Sequence, residues 1–180
     1  MIDAGANIGV FTLWAAANVG EQGTVVAFEP NPLAFRVLTD NVRTLPQVTA
    51  NQLACSDQPT TMTLHFPPGR LSVGSFDERP DRTQSAQVSV VTLDAALDSV
   101  HGEIALLKID VEGHEVPVLN GAARTMQRTR RLALEVSGDD LPACEAIINA
   151  AGLSRVSLTS GMWNLPERRG VVAHFVRDAA

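Results

Sequence analysis

Four short stretches of this chain combine acids and glycines in ways that could do chemistry: Asp3-Ala4-Gly5-Ala6-Asn7-Ile8-Gly9, Glu29-Pro30-Asn31, Ala54-Cys55-Ser56-Asp57 and Asp110-Val111-Glu112-Gly113-His114. In the first, Gly5 lets the backbone turn sharply and Gly9 lets a helix pack close to a strand. The spacing is not the phosphate fingerprint Gly-x-Gly-x-x-Gly, because Asn7 stands where the second glycine is needed and Val10 where the third is. Asp3, just before the first glycine, would repel a phosphate and attract an ammonium group. Glu29 lies 20 residues beyond Gly9, where an acid at the end of the next strand can accept hydrogen bonds from both ribose hydroxyls. A cofactor with an adenosine, a cationic amino-acid arm and no phosphate satisfies all of these features, and S-adenosylmethionine is that molecule.

These residues act together only if the chain gathers them. Strand-like apolar runs alternate with helical patterns, which implies a mostly parallel sheet with helices on both faces. In such a sheet ligands bind at the C-terminal strand ends, near the point where strand order reverses. The first helix is expected from Asn7 or Ile8 to Val19, with apolar residues nearly all the way round and therefore buried on most sides. Thr24 to Phe28 reads as a buried strand, and Asn31 and Pro32 as the cap and first residue of a helix striped by Phe35, Leu38, Val42 and Leu45. Val48 to Ala54 reads as a third strand. Residues 60–92 read as an inserted antiparallel β pair, with a long polar connection between Pro67 and Ala86. Ile104 to Ile109 is the clearest buried strand, and Val116, Leu119 and Ala123 stripe the helix after it. Arg131 to Val136 is a further strand. A helix over residues 141–151 carries Ala143, Ile147 and Ala150 on one face, and a terminal hairpin holds Gly161, Trp163 and Pro166 in its loop. Only Met1 and Ile2 precede Asp3, so the first strand reads as shortened and as the weakest part of the site.

The totals narrow the function. A chain of 180 residues suits one domain spanning residues 1–180. A net charge of −6 argues against a nucleic-acid footprint, which would be basic. Arg124, Arg128, Arg130 and Arg131 form a local cluster that reads as the solvated end of a helix and the turn after it. Cys55 and Cys144 make no disulfide framework, the N-terminus is not a signal peptide, and no apolar run approaches the roughly 18 residues of a membrane span. The expected location is cytoplasmic.

The motifs DAGANIGVFTLWAA, VVAFEPNPLAFRVLTDNV, LACSD, VVTLDAAL and LLKIDVEGHEVPVLNGA resemble, in that order and spacing, the FkbM family of S-adenosylmethionine-dependent methyltransferases. The resemblance implies a Rossmann-like class I methyltransferase fold whose seven-stranded, mostly parallel sheet has an antiparallel last strand. It implies O-methylation of a hydroxyl on a sugar, glycan or natural product. It further implies that Asp3, Gly5, Ala6, Asn7 and Gly9 surround the methionine part of the cofactor and that Glu29 holds the ribose. Pro30 and Asn31 would lie near the adenine, Ala54 and Cys55 would line its pocket, and Ser56 or Asp57 would reach its polar edge. Asp110 would face the methionine ammonium and the reacting centre.

Transfer of a methyl from a sulfonium is above all a positioning task, completed by removal of a hydroxyl proton. Asp110, Glu112 and His114 alternate after the fourth parallel strand as candidate bases, with Glu135 able to approach from the next strand. Histidine has the best-matched pKa, but a helix N-terminus disfavours its proton. No further ligand set supports a metal site at Asp110-x-Glu112-x-His114, since a hard cation needs several oxygens. His65, His101 and His174 stand alone and read as structural, and Trp163 reads either as a substrate cover or as a core residue of the hairpin. Two other functions fit less well: a cofactor-binding remnant without catalysis, and a nicotinamide-dependent oxidoreductase, which the missing glycine at position 7 disfavours.

Overall fold

The computed structural model describes residues 1–68, 74–76, 80, 82–165 and 168–177, without the side chains of 161–165 and 168–169. The elements run β1 (Ile2–Ala4), α1 (Val10–Asn18), β2 (Val25–Phe28), α2 (Pro32–Val42), β3 (Val48–Asn51), β4 (Ala54–Cys55), β5 (Thr60–Phe66) and β6 (Gln84–Val91). They continue with α3 (Leu93–Ala96), β7 (Leu107–Ile109), α4 (Glu115–Asn120), α5 (Ala123–Gln127), β8 (Arg131–Ser137), α6 (Leu141–Ala150), β9 (Leu153–Leu165) and β10 (Arg168–Arg177). The main sheet has seven strands in the order β3-β2-β1-β7-β8-β10-β9. Strands β3, β2, β1, β7 and β8 are mutually parallel, and β10 runs antiparallel to both neighbours, β8 and β9. Strand order reverses between β1 and β7, so the site is expected at the tips of those two strands.

Both central strands are short, three residues each. Burial compensates for their length. Ile2 is 1% exposed and pairs with Val26 on one side and Leu107 on the other. A fully buried isoleucine contributes about 1.5–3 kcal/mol, so Ile2 is a well-held core residue and not a loose end.

The sheet alternates two faces. Ile2, Ala4, Phe28, Leu107, Ile109, Leu132 and Leu134 join side chains of α3, α4, α5 and α6 in the main core. The opposite face is covered by α1 and α2, where Ala15, Ala16 and Val25 form one cluster and Ala27, Leu38 and Val42 another. Asp3 and Lys108, paired in register, project from this second face.

Several expectations change in detail. Helix α1 buries only Thr12, Ala15 and Ala16, while Val10 is 71% and Trp14 49% exposed. Its apolar ring therefore overstates its burial, because only one side meets the sheet. The strand expected over 48–54 divides: β3 stays in the main sheet, and β4 leaves it to pair in parallel with β6 in a three-stranded sheet ordered β4-β6-β5. Strands β5 and β6 form the expected antiparallel pair. The helix after β7 breaks into α4 and α5 at Gly121, where a Cβ would lie 2.0 Å from the Ser56 carbonyl oxygen. Helix α6 turns Cys144 and Ile148 inward, and Ala143 and Ala150 face out. Gly161 and Trp163 belong to β9 and not to a loop, and Pro166 lies outside the described residues.

Three of the four clustered arginines are spent locally. Arg124 pairs with Asp94 and Asp98, Arg128 donates to the Val100 and Gly102 carbonyls, and Arg130 pairs with Glu103. No helix of the described residues is long and apolar enough to cross a membrane.

Candidate active site

A cleft opens at the tips of β1, β2 and β7, walled by Gly5, Asn7, Glu29, Pro30, Gly74, Asp110, Val111 and Glu112. It holds about 440 Å³ of empty space, its open mouth included. Two non-glycine residues among those described have left-handed φ, Asn7 at 51° and Glu112 at 56°. Both stand on the cleft wall, one on each side of the switch point. Such backbone conformations cost about 1–3 kcal/mol and persist where the surroundings impose them.

On the first side, the loop is rigid because its own amides are satisfied. Gly5 and Ala6 both donate to the Phe28 carbonyl, Gly9 donates to the Ala6 carbonyl, and Asn7 donates to Glu29 Oε2 at 2.7 Å. A phosphate-binding loop needs such N–H groups free to point at the ligand. This loop offers none of these four. Gly5 cannot be replaced in place: a Cβ there would sit 1.7 Å from the Asp110 carbonyl oxygen. Gly9 admits helix α2 and not a strand, since its Cβ would lie 2.6 Å from Leu38 Cδ1.

Glu29 is 7% exposed, and each carboxylate oxygen accepts one backbone N–H, from Asn7 at 2.7 Å and Asn31 at 2.8 Å. Burial pushes its carboxyl up to about 7, against the pull of those two amides and of Lys108. Glu29 itself lines the cleft. Asn31 caps α2 by accepting from Leu33 N, as its sequence position requires. Two buried polar atoms beside Glu29, Asn7 Oδ1 and Asn31 Nδ2, have no hydrogen-bond partner. Buried polar groups left unmatched are costly, and a polar ligand in the cleft is the ready source of a partner for Asn7, which lines it.

Asp3 is fully buried and absent from the cleft wall. The ammonium it meets is internal. Lys108 Nζ lies 3.2 Å from Asp3 Oδ1, 2.9 Å from the Gly5 carbonyl and 3.3 Å from Asp110 Oδ2. Thr12 Oγ1 donates to the other Asp3 oxygen at 2.6 Å. The cation that Asp3 meets in the structure is thus supplied by strand β7, where the sequence pointed to a ligand's ammonium. Burial alone would lower the Lys108 pKa, but Asp3 and Asp110 outweigh it and hold it above the usual value. Removing one partner of such a buried pair costs about 3–5 kcal/mol.

On the second side, carboxylates crowd one another. Loss of water, then the Asp110 and Glu135 charges, push Glu112 up to about 7, with Arg82 opposing. Glu135 is raised for the same first two reasons, burial and Asp110. Glu115 is 4% exposed, accepts from Gly113 N at 2.9 Å and is also raised by burial. Among the described residues, no group of three or more His, Cys, Asp or Glu side chains is arranged to hold a metal ion.

His114 does not line the cleft. Its Nε2 is 2.9 Å from Ser56 Oγ, and its ring meets Phe76 edge-on at 4.9 Å. Ser56 Oγ also donates to Asp57 at 3.1 Å. Ala54 and Cys55 are buried beneath this cluster, and burial pushes the Cys55 thiol up to about 12, where it is inert. So Gly5, Asn7, Glu29, Pro30, Asp110 and Glu112 come together on the cleft wall, whereas Asp3, Ala6, Gly9, Asn31, Ala54, Cys55, Ser56, Asp57 and His114 do not line it. Lys108, Thr12 and Arg82 are absent from the sequence reading. A lone lysine inside the apolar run IALLKI was the available signal for Lys108; nothing local marks the other two.

Residues 3–152 match the family model described as the methyltransferase FkbM domain. The chain is 31% identical over 143 residues to Methyltransferase 1 of Beauveria bassiana, covering 67% of this chain and 57% of that protein. It is 28% identical to the hexuronic acid methyltransferase AglP of Haloferax volcanii, over 84% of this chain and 62% of that protein. It is 31% identical to the 31-O-demethyl-FK506 methyltransferase FkbM of Streptomyces tacrolimicus, over 78% of this chain and 66% of that protein. The chain thus spans about six-tenths of the length of these relatives. A crystal structure of a methyltransferase FkbM from Methylobacillus flagellatus superposes with a TM-score of 0.68 at 19% identity, over 97% of this chain and 42% of that one. Fibrillarin of Aeropyrum pernix, solved with S-adenosyl-L-methionine bound, shares the fold at a TM-score of 0.60 and 10% identity, over 97% of this chain and 65% of that one.

Proposed function

This chain belongs to the FkbM methyltransferase family, and from that premise we propose that it moves a methyl group from S-adenosylmethionine to a hydroxyl of a sugar, glycan or natural product. The observation that carries the cofactor reading is the first loop: its Gly5, Ala6, Asn7 and Gly9 amides are all spent inside the protein, while the cleft wall around it carries three carboxylates, Glu29, Asp110 and Glu112, and no described cation. That surface suits a cationic ligand with a diol and opposes a pyrophosphate, which disfavours the nicotinamide alternative. The names of the Haloferax and Streptomyces relatives supply the acceptor class. Residues 1–180 are read as one methyltransferase domain. The two free, buried cysteines suit a reducing compartment such as the cytoplasm.

Glu29 would hold the ribose hydroxyls, with Asn7 and Gly5 beside the amino-acid arm, Pro30 near the adenine and Asp110 facing the ammonium. When bound, the cofactor supplies a methyl already activated on a sulfonium. The protein's share is then alignment and proton removal. Glu112 is the preferred base. It stands on the cleft wall with a pKa raised to about 7, which matches a base working near neutral pH. Asp110 is engaged by Lys108, and His114 by Ser56, so each is less free to accept a proton.

The test is transfer of labelled methyl from S-adenosylmethionine to a panel of sugar, lipid-linked glycan and macrolide hydroxyls. Labelled product from one acceptor class supports the reading. Tight cofactor binding with no transfer to any acceptor favours the remnant reading instead.

A further inference from the structure

Lys108 is a cation in the middle of a buried strand, on none of the walls that touch the cleft. It nevertheless contacts both halves of the site. From β7 it reaches the Asp3 carboxylate and the Gly5 carbonyl at the tip of β1, and along its own strand the Asp110 carboxylate. Those contacts span 105 residues of sequence and cross the switch point. The Phe11 ring of α1 lies 5.8 Å from the ammonium and closes the site from the helix side. Two of the three groups it holds, Gly5 and Asp110, belong to cleft-wall residues.

We infer that Lys108 is a positioning residue for the cofactor site: its ammonium ties the Gly5 turn to the tip of β7 and fixes the Asp110 carboxylate on the cleft wall. This role rests on the methyltransfer reading above. The charged groups around the ammonium are Asp3 of β1, Glu29 after β2, Asp110 after β7 and Glu135 of β8. A duller role is available, in which Lys108 only neutralises the buried Asp3. The two roles part when Asp3 is made neutral. If neutralising Asp3 is all that Lys108 does, it becomes dispensable in an Asp3→Asn background. If it positions Gly5 and Asp110, it stays necessary there.

The experiment compares the wild-type chain, Asp3→Asn, Lys108→Met and the double variant Asp3→Asn/Lys108→Met, by melting temperature and by calorimetry with S-adenosylhomocysteine across pH. The double variant is expected to melt above Lys108→Met, because the buried anion is gone. It is nonetheless expected to bind S-adenosylhomocysteine at least tenfold more weakly than Asp3→Asn alone. The acid limb of its binding profile should move to higher pH, since Lys108 pulls the Glu29 carboxyl down and a carboxylate that loses a nearby cation titrates higher. Equal affinity and an unmoved acid limb in Asp3→Asn and the double variant would overturn the positioning role while leaving the methyltransfer reading intact. Absence of S-adenosylhomocysteine binding by the wild-type chain would overturn that reading and this role with it.

Discussion

The two sides of the cleft hold their carboxylates in opposite ways. On the β1–β2 side every acidic oxygen named has an assigned donor: Asp3 has Thr12 and Lys108, and Glu29 has the amides of Asn7 and Asn31. On the β7–β8 side burial and the Asp110 charge raise both Glu112 and Glu135, and Glu135 adds to the rise at Glu112, with Arg82 opposing at Glu112 and Lys108 at Glu135. Glu29 and Glu112 are both pushed up to about 7, and the proposed reaction would put them to different uses. A carboxylate locked between two amides is a fixed acceptor for a ligand's hydroxyls. A carboxylate crowded by like charges at a left-handed residue is poised to take up a proton. In the proposed reaction the difference would separate binding from chemistry within one small site.

The largest effect that sharpens this division is expected at Glu112. Glu112→Gln should lower kcat by roughly 10²–10⁴-fold, the usual worth of a general base, and should weaken S-adenosylhomocysteine binding far less. A loss confined to affinity would erase the distinction. Glu29→Ala should do the reverse, costing affinity about 100-fold through lost charged hydrogen bonds, with each such bond worth about 1.5–3 kcal/mol.

The pH dependence follows the same line. A ligand that needs the Glu29 carboxylate binds more weakly as pH falls through about 7, because the folded protein protonates it there. In the wild-type chain kcat should fall on the same acid limb through Glu112. Glu112→Gln should abolish the limb in kcat and leave the limb in affinity.

Gly5→Ala drives a methyl group into the Asp110 carbonyl at a φ of +83°. It should lower the melting temperature by more than about 5 °C, given about 2–4 °C per kcal/mol in a domain of this size. The smallest effect is expected at His114, which contacts Ser56 and Phe76 outside the cleft. His114→Ala should cost less than tenfold in kcat, and a larger loss would return it to the list of bases.

How much of this was legible in the sequence depends on the range of the interaction. The Gly5-to-Gly9 turn, the Asn31 cap, the strand ending at Glu29 and the tip carrying Asp110 and Glu112 are local, and periodicity with turn chemistry suffices to read them. The alternation of strands and helices likewise gave the mostly parallel sheet, and its reversed strand came with the family resemblance. The partner of Asp3 was not readable, because Lys108 meets it only after 105 intervening positions are folded. The break at Gly121 depends on the Ser56 carbonyl, from another part of the chain. The exposed apolar side of α1 was missed because composition around a helix does not say which neighbours exist. His114 looked like a base from its position beside Asp110 and Glu112, yet the positive φ at Glu112 and Gly113 turns the chain between them, and His114 ends beside Ser56.

The central claim is that this cleft is built for a cationic, phosphate-free adenosine cofactor. Calorimetric titration of the wild-type chain with S-adenosylhomocysteine and, separately, with NAD tests it most directly. The account predicts one-to-one binding of S-adenosylhomocysteine in the micromolar range and no measurable heat with NAD. Tighter binding of NAD, or binding of neither, would contradict it.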